Sequence, residues 1–232
     1  VGTNNNVAVA GNNITITSPN GDILAQAGNG TNNSATIIAA SNATLSAYEG
    51  DVIFRGGAGA SGNFASVSAA DRAEINTFGS GEISLFGGDA SGATTSVTGT
   101  LVTMNAVNGS LNLFGGTASG SACSVISTNG IDGNFGKDVN LVAGTGANAH
   151  ATISNVTGNL NLSIGNNLTI NAAAGSRAQI GNSTTASVTS NIVFPKVGGN
   201  VSFKGSSTLN SYAVIGHGDL TGLQTTLSGN IV

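Results

Sequence analysis

Acidic residues recur at one fixed place of a repeated segment, and among the charged groups their spacing is the best suited to chemistry. The second place of that segment holds Asp22, Asp51, Glu82, Ser110 and Asp138. Carboxylates stacked in one column could bind a cation, or they could form a solvated edge. We expect the solvated edge. The melting temperature should therefore not respond to calcium, either in the wild type or after Asp51→Asn and Glu82→Asn.

The two histidines, His150 and His217, and the single cysteine, Cys123, are the other potential ligands or nucleophiles. The histidines lie about two repeats apart without an evident third partner, whereas metal ligation and general-base catalysis need companions within a few ångströms. We expect both to be solvent-facing or locally bonded. Cys123 lies in a strand-like stretch and is expected to be a small buried hydrophobe that forms no internal disulfide. The sequence thus predicts no catalytic, cofactor-binding or metal-binding residue.

Several short motifs match ligand-binding sequences but lack the context that those sites need. GAGASG at 57–62 fits G-x-G-x-x-G, yet a second strand follows it where a dinucleotide site requires a helix. FGKD at 135–138 lacks the leading glycine and the Ser/Thr of a phosphate-binding loop, and the glycine-rich corners lack the aspartates of calcium-binding nonapeptides. Ten N-x-[S/T] triplets are expected by chance from the composition and do not establish glycosylation; examples are Asn13, Asn42 and Asn167.

Composition narrows the classes of function. The 232 residues carry a net charge of −4, and the six Lys and Arg are scattered. Nucleic acid and anionic lipid both need clustered cations, so neither is an expected partner. No stretch approaches 18 consecutive apolar residues, so we expect no membrane insertion. The 36 glycines could indicate disorder, but 39% of residues are apolar and fall in short β-branched clusters, which favours an ordered β protein.

An eight-residue segment recurs seven times, from GDILAQAG at 21–28 to GNVSFKGS at 199–206, with starts 29, 31, 28, 28, 29 and 33 residues apart. Apolar residues alternate at its third and fifth places, which predicts a strand with one buried face. Two further apolar clusters follow in most repeats, for example SATII at 34–38 and ATLSA at 43–47. Each repeat therefore offers about three short strands.

Three strands per repeat at a near-constant period predict an all-β fold, a parallel β-solenoid of about 7–8 coils of ~29 residues. One domain is expected, with a partial first coil at 1–20, seven repeats at 21–218 and a final partial coil at 219–232. Equivalent residues of neighbouring coils should stack about 4.8 Å apart. Leu85 should then lie beside Leu113, and Phe86 beside Phe114.

The sixth repeat, which starts at residue 166, departs from the pattern. Its third strand is expected at ASVTS, 186–190. NIVFPKVG at 191–198 contains Pro195 and is expected to be a bulging corner or loop, because proline cannot donate to a sheet.

The phrases LFGGTASGSACSVIS, GTGANAHATISN and SYAVIGHGD resemble the passenger regions of large secreted bacterial adhesins of the filamentous-haemagglutinin-like, autotransporter type. The resemblance covers most of residues 21–218 and lies in the style of the repeat. It implies an exported, right-handed parallel β-helix at the bacterial cell surface that acts as a stalk, adhesive surface or filament.

We therefore expect a non-enzymatic extracellular structural or adhesive protein. It should self-associate end to end through its terminal coils, and a host surface, a neighbouring cell or a glycan is a possible partner. A polysaccharide-cleaving enzyme on the same fold is one alternative, but the chain shows no cluster of Asp, Arg or Lys on one face. An ice- or surface-binding protein is the other. ITIT at 14–17 suggests it, but no threonine column persists across the coils.

Overall fold

Alternating apolar and small polar residues fold into short strands that wind into a parallel β-solenoid of about 7 turns. The computed structural model describes residues 4–182, 188–208 and 210–218. Within these residues all regular structure is strand, with no helix, and neighbouring coils pair in parallel. The predicted all-β parallel β-solenoid is confirmed.

The strands are, in chain order, β1 (Asn6–Gly11), β2 (Ile14–Ser18), β3 (Ile23–Gln26), β4 (Ser34–Ala39), β5 (Asn42–Ala47), β6 (Val52–Arg55), β7 (Phe64–Ala69), β8 (Arg72–Thr77), β9 (Ile83–Phe86), β10 (Thr94–Ala106), β11 (Leu111–Phe114), β12 (Cys123–Phe135), β13 (Val139–Val142), β14 (Ala151–Asn155), β15 (Asn159–Ile164), β16 (Leu168–Asn171), β17 (Arg177–Ile180), β18 (Asn191–Val197), β19 (Val201–Lys204) and β20 (Tyr212–Ile215).

The recurring eight-residue segment forms the first face of the solenoid in every predicted repeat. Its seven strands make one sheet, in the order β19, β16, β13, β11, β9, β6, β3. Side chains alternate as expected: in β6, Val52 and Phe54 are fully buried while Arg55 is exposed. The period-two pattern therefore predicted both the strands and their inward side.

The other two faces join into one 13-stranded sheet, because β10 and β12 run continuously around the corner between them. The second face comprises β1, β4, β7, β14, β17, β20 and the first halves of β10 and β12. The third comprises β2, β5, β8, β15, β18 and the second halves of the same two strands. The half-strand at 131–135 pairs with β15 and is a third-face element that the repeat pattern did not single out.

The core is a set of columns in which one apolar residue lies above its equivalent in the next coil. Leu85 pairs with Leu113 and both are fully buried. Phe86 pairs with Phe114, and their rings stack with centroids 5.5 Å apart. Both predicted neighbours are confirmed. Full burial of one leucine side chain contributes about 1.5–3 kcal/mol, so the repetition of such columns stabilises the rod.

Two columns at the corner between the first and second faces explain why Gly-Gly and Asn recur. A Cβ on Gly88 would collide with the carbonyl oxygen of Gly57, and one on Gly116 with that of Gly88. Two or three residues before each second-face strand the backbone is left-handed, with φ between 54° and 72°. Glycine and asparagine tolerate that conformation best. The residues are Asn4, Asn32, Gly62, Gly92, Gly120, Asn148, Gly175 and Asn210.

The prediction for the sixth repeat was wrong for its third strand and partly correct for its bulge. The third-face strand is β18, Asn191–Val197, rather than 186–190; residues 186 and 187 lie outside the described residues. Pro195 sits within this strand. Asn161 pairs with Val193 and Ser163 with Lys196, so two residues oppose one at the proline, which has no N–H to donate. The predicted final partial coil at 219–232 also lies outside the described residues.

Candidate functional site

In most of the acidic column, a side chain of one coil accepts a hydrogen bond from a backbone N–H of the next coil and so caps it. Oδ1 of Asp22 accepts the Asp51 N–H at 2.9 Å, and Oδ1 of Asp51 accepts the Glu82 N–H at 2.8 Å. Oδ1 of Asp138 accepts the Asn167 N–H at 2.9 Å, and Oδ1 of Asn167 accepts the Asn200 N–H at 2.9 Å. The carboxylates are therefore directed at N–H donors along the rod. Sequence reasoning considered a cation and a solvated edge, and missed this role.

Glu82 departs from this capping role, whereas Ser110 keeps it with a hydroxyl group. Oε2 of Glu82 accepts the Asn112 side-chain N–H at 2.9 Å, while Oγ of buried Ser110 accepts the Asp138 N–H at 3.4 Å. Asn112 in turn accepts the Asn140 side-chain N–H at 2.9 Å. Across the described parts of the chain, no three His, Cys, Asp or Glu side chains are grouped so that they could hold a metal ion.

Each of the two histidines also accepts a hydrogen bond from a backbone N–H of a neighbouring coil, at separate places along the rod. Nδ1 of His150 accepts the Arg177 N–H at 3.0 Å, and Nδ1 of His217 accepts the Asn182 N–H at 3.0 Å. Burial lowers the pKa of both imidazoles, and the Arg177 charge lowers the pKa of His150 further, against a hydrogen bond to Ser190 that raises the pKa of His217. Local bonding, one of the two expected surroundings, is what both show.

His217 is near a serine hydroxyl, but its protonation pattern does not suit general-base catalysis. Nε2 lies 2.8 Å from the Ser190 carbonyl oxygen and 3.3 Å from Ser190 Oγ. Because Nδ1 accepts the Asn182 N–H, the neutral ring carries its proton on Nε2 and donates it to the carbonyl. That nitrogen has no lone pair left to take a proton from Oγ, and Ser190 is fully buried.

Cys123 lies in the core with no exposed surface, as expected. Burial raises the pKa of its thiol far above the usual range. Its Sγ is 3.8 Å from the His150 carbonyl oxygen, a weak hydrogen bond that leaves the thiol protonated. The group is therefore a packing residue rather than a nucleophile.

The other sequence motifs are parts of the coil. Segment 57–62 is a corner followed by strand β7, and segment 135–138 is a corner in which the Lys137 N–H donates to the Gly109 carbonyl. The Asn13 side chain accepts a hydrogen bond from Asn42 at 3.0 Å. ITIT at 14–17 lies in β2, where the Thr15 column passes through Thr44 to Glu74.

A groove of about 390 Å³ that sequence reasoning did not find runs along the corner that follows the first face. Arg55, Phe86 and Phe114 line one side and come from successive coils of one column. Asp89 and Thr117 line the other side, and the Thr117 hydroxyl donates to Asp89 Oδ1 at 2.9 Å. Alignment of the repeats places Arg55 in register with the two phenylalanines. This alignment was the feature of the sequence from which one wall of the groove could have been predicted.

The N-terminal end of the rod presents a second concave surface, of about 570 Å³. Val7 and Val9 pair with Ala35 and Ile37, and Ile37 is buried, so the two valines face inward. They nevertheless are 70% and 46% exposed, so the described residues leave two core-facing side chains of β1 uncovered.

Among the described residues there is no helix long and apolar enough to cross a membrane. Comparison of the chain with protein-family models, with curated proteins and with solved structures finds no match in any of the three.

Proposed function

We propose that this chain is a non-enzymatic structural and adhesive rod that stacks end to end into a filament on the outside of a bacterial cell. The observation that supports this most is the open N-terminal end, where inward-facing Val7 and Val9 remain exposed. A further coil placed on that end would bury them and would pair with β1, β2 and β3. The proposed occupant is the C-terminal end of a second copy, because stacking copies in one direction preserves the parallel geometry.

The column of caps supports this direction of stacking. Asp22 is the first member of the column: its Oδ1 receives the Asp51 N–H of the following coil, and among the described residues no side chain receives its own N–H. Asn200 is the last described member, and its N–H is capped by Asn167. In the proposed stack the last side chain of the column in one copy receives the Asp22 N–H of the next.

The use of polar side chains supports a mechanical rather than a catalytic role. In the acidic column Asp22, Asp51 and Asp138 each use Oδ1 to accept a backbone N–H of the next coil, and both histidines use Nδ1 in the same way. These hydrogen bonds stiffen the rod, which favours a mechanical role. The location outside the cell is supported by the resemblance of the repeats to secreted adhesins.

The test is the state of assembly of the pure 232-residue chain. We expect fibres by electron microscopy and a mass that grows with concentration by light scattering. Val9→Lys places a charge on the inward side of the open end and should abolish growth. Ala8→Lys, on the outward side of the same strand, is the matched control and should leave growth unchanged.

Two results would refute the proposal. One is a strictly monomeric rod at every concentration, and the other is growth that both lysine variants leave unaffected. Circular dichroism of each variant separates loss of stacking from loss of folding. Turnover of any member of a polysaccharide panel by the wild-type chain would contradict the non-enzymatic part.

A further inference from the structure

The floor of the groove along the first corner is bare backbone that the fold keeps free of side chains. Gly88 and Gly116 lie on this floor, and a Cβ at either place would strike a carbonyl oxygen of the adjacent coil. Close stacking of the coils thus demands glycine here in coil after coil. The consequence is a continuous trough over four coils, roughly 14 Å long at a coil spacing of about 4.8 Å.

The first wall of the trough carries Gln26 and Arg55 in its first two coils and the rings of Phe86 and Phe114 in the next two. The Arg55 guanidinium lies over the Phe86 ring, 4.9 Å from its centroid, and Phe114 stacks on the other side of that ring. Because Arg55 and Phe114 cover the two faces of the Phe86 ring, only the edge of that ring is exposed to the trough. Arg55 is exposed, so its N–H donors can reach a ligand.

The second wall supplies acceptors. Asp89 and Thr117 are both exposed, and the hydrogen bond from Thr117 uses Oδ1 of Asp89. Oδ2 has no hydrogen-bond partner among the described residues, which leaves it available to a donor on a ligand. The trough therefore offers donors on one wall, an acceptor on the other, and apolar edges.

We propose that this groove binds a neutral oligosaccharide, an inference that rests on the adhesive part of the proposed function and names its ligand class. An anionic ligand is opposed by Asp89 and a cationic one by Arg55, whereas a hydroxyl group both accepts from arginine and donates to a carboxylate. Sugar rings also present C–H patches that fit ring edges. An elongated chain of several sugars suits the length of the trough.

The test is calorimetric titration of the chain with cellotetraose, maltotetraose and chitotetraose, with tetragalacturonate and tetraglucosamine as anionic and cationic comparators. We expect at least one neutral tetrasaccharide to bind and both charged ones to bind more weakly. Arg55→Gln and Asp89→Asn should each weaken that binding by roughly tenfold or more. Arg72→Gln, which changes an exposed arginine on the third face, is the matched control and should have no effect.

A second pair of variants addresses the apolar wall. Phe114→Ser should weaken binding, whereas Phe78→Ser, which disrupts the Tyr48–Phe78 stack at another corner, should not. Melting temperatures establish that each variant is folded. The inference is overturned if no neutral tetrasaccharide binds at millimolar concentration, or if binding is indifferent to both Arg55→Gln and Asp89→Asn. Binding by the stacking-deficient Val9→Lys variant would show the groove to be independent of filament formation, so either proposal can fail alone.

Discussion

Removal of the Asp138 carboxylate should destabilise the rod because one of its oxygens joins two coils. Oδ1 accepts the Asn167 N–H at 2.9 Å, the Asn167 side-chain N–H at 3.0 Å and the Asn166 side-chain N–H at 2.8 Å. A hydrogen bond to a charged group contributes about 1.5–3 kcal/mol. Asp138 is only half-buried, so solvent screening reduces the total for Asp138→Ala to about 1–2 kcal/mol.

Thermal unfolding followed by circular dichroism measures this loss. For a chain of this size each 1 kcal/mol corresponds to about 2–4 °C, so Asp138→Ala should lower the Tm by roughly 2–8 °C. Asp138→Asn retains an oxygen at the Oδ1 position and should lose less than half as much. Asp132→Ala is the control, because that carboxylate accepts a side-chain N–H from Asn161 at 2.7 Å and caps no backbone.

Backbone capping and cation binding by the acidic column predict different results for the Asp138→Asn variant and for added calcium. If Asp138→Asn is as destabilising as Asp138→Ala, the charge matters rather than the oxygen position, and the explanation fails. It also fails if calcium raises the Tm of the wild type but not of Asp138→Asn. A Tm that calcium leaves unchanged in the wild type and in Asp51→Asn/Glu82→Asn agrees with caps alone.

The histidines, the cysteine, a core leucine and a left-handed glycine give further predictions. The lowered pKa values of His150 and His217 mean that the unfolded chain binds protons first as pH falls. The stability from both caps is therefore complete above about pH 6.5 and is lost as pH falls through their folded pKa values, so denaturant midpoints should decrease on acidification. Cys123 should react with a thiol reagent at pH 8 only after unfolding, and labelling of the folded chain would contradict its burial. Leu85→Ala should cost about 2–5 kcal/mol in denaturant titrations. Gly120→Ala should cost about 1–2 kcal/mol at φ 72°, whereas Gly120→Asn should cost clearly less, and equal losses would refute the left-handed requirement.

The strands were predictable because alternation and period are local properties of the chain. Val52 and Phe54 alternate with outward residues in the sequence itself, and the repeat of 28–31 residues that holds over most of the chain sets which residues become neighbours. Pro195 was harder, since a bulge depends on how the opposite strand absorbs an extra residue rather than on the proline alone.

The site features were less predictable because they depend on the direction of side chains between coils. The column that starts at Asp22 was found by spacing, but spacing does not tell whether a carboxylate meets water, a cation or a backbone N–H. The groove needs Arg55 from one coil and Phe86 and Asp89 from the next, and its floor exists only because coils approach too closely for a Cβ. Such a surface arises from stacking and has no contiguous signature.

The hydrogen bonds between coils run along the length of the rod, and this gives the molecule a particular response to tension. A pull on its two ends loads every coil-to-coil interface in series, so the weakest interface opens first and the others stay closed. One detached coil of 28 residues extends to roughly 90–100 Å of chain while the rod shortens by about 4.8 Å. Under tension the protein would thus lengthen in discrete steps, one coil at a time, and the whole rod would not unfold in a single event.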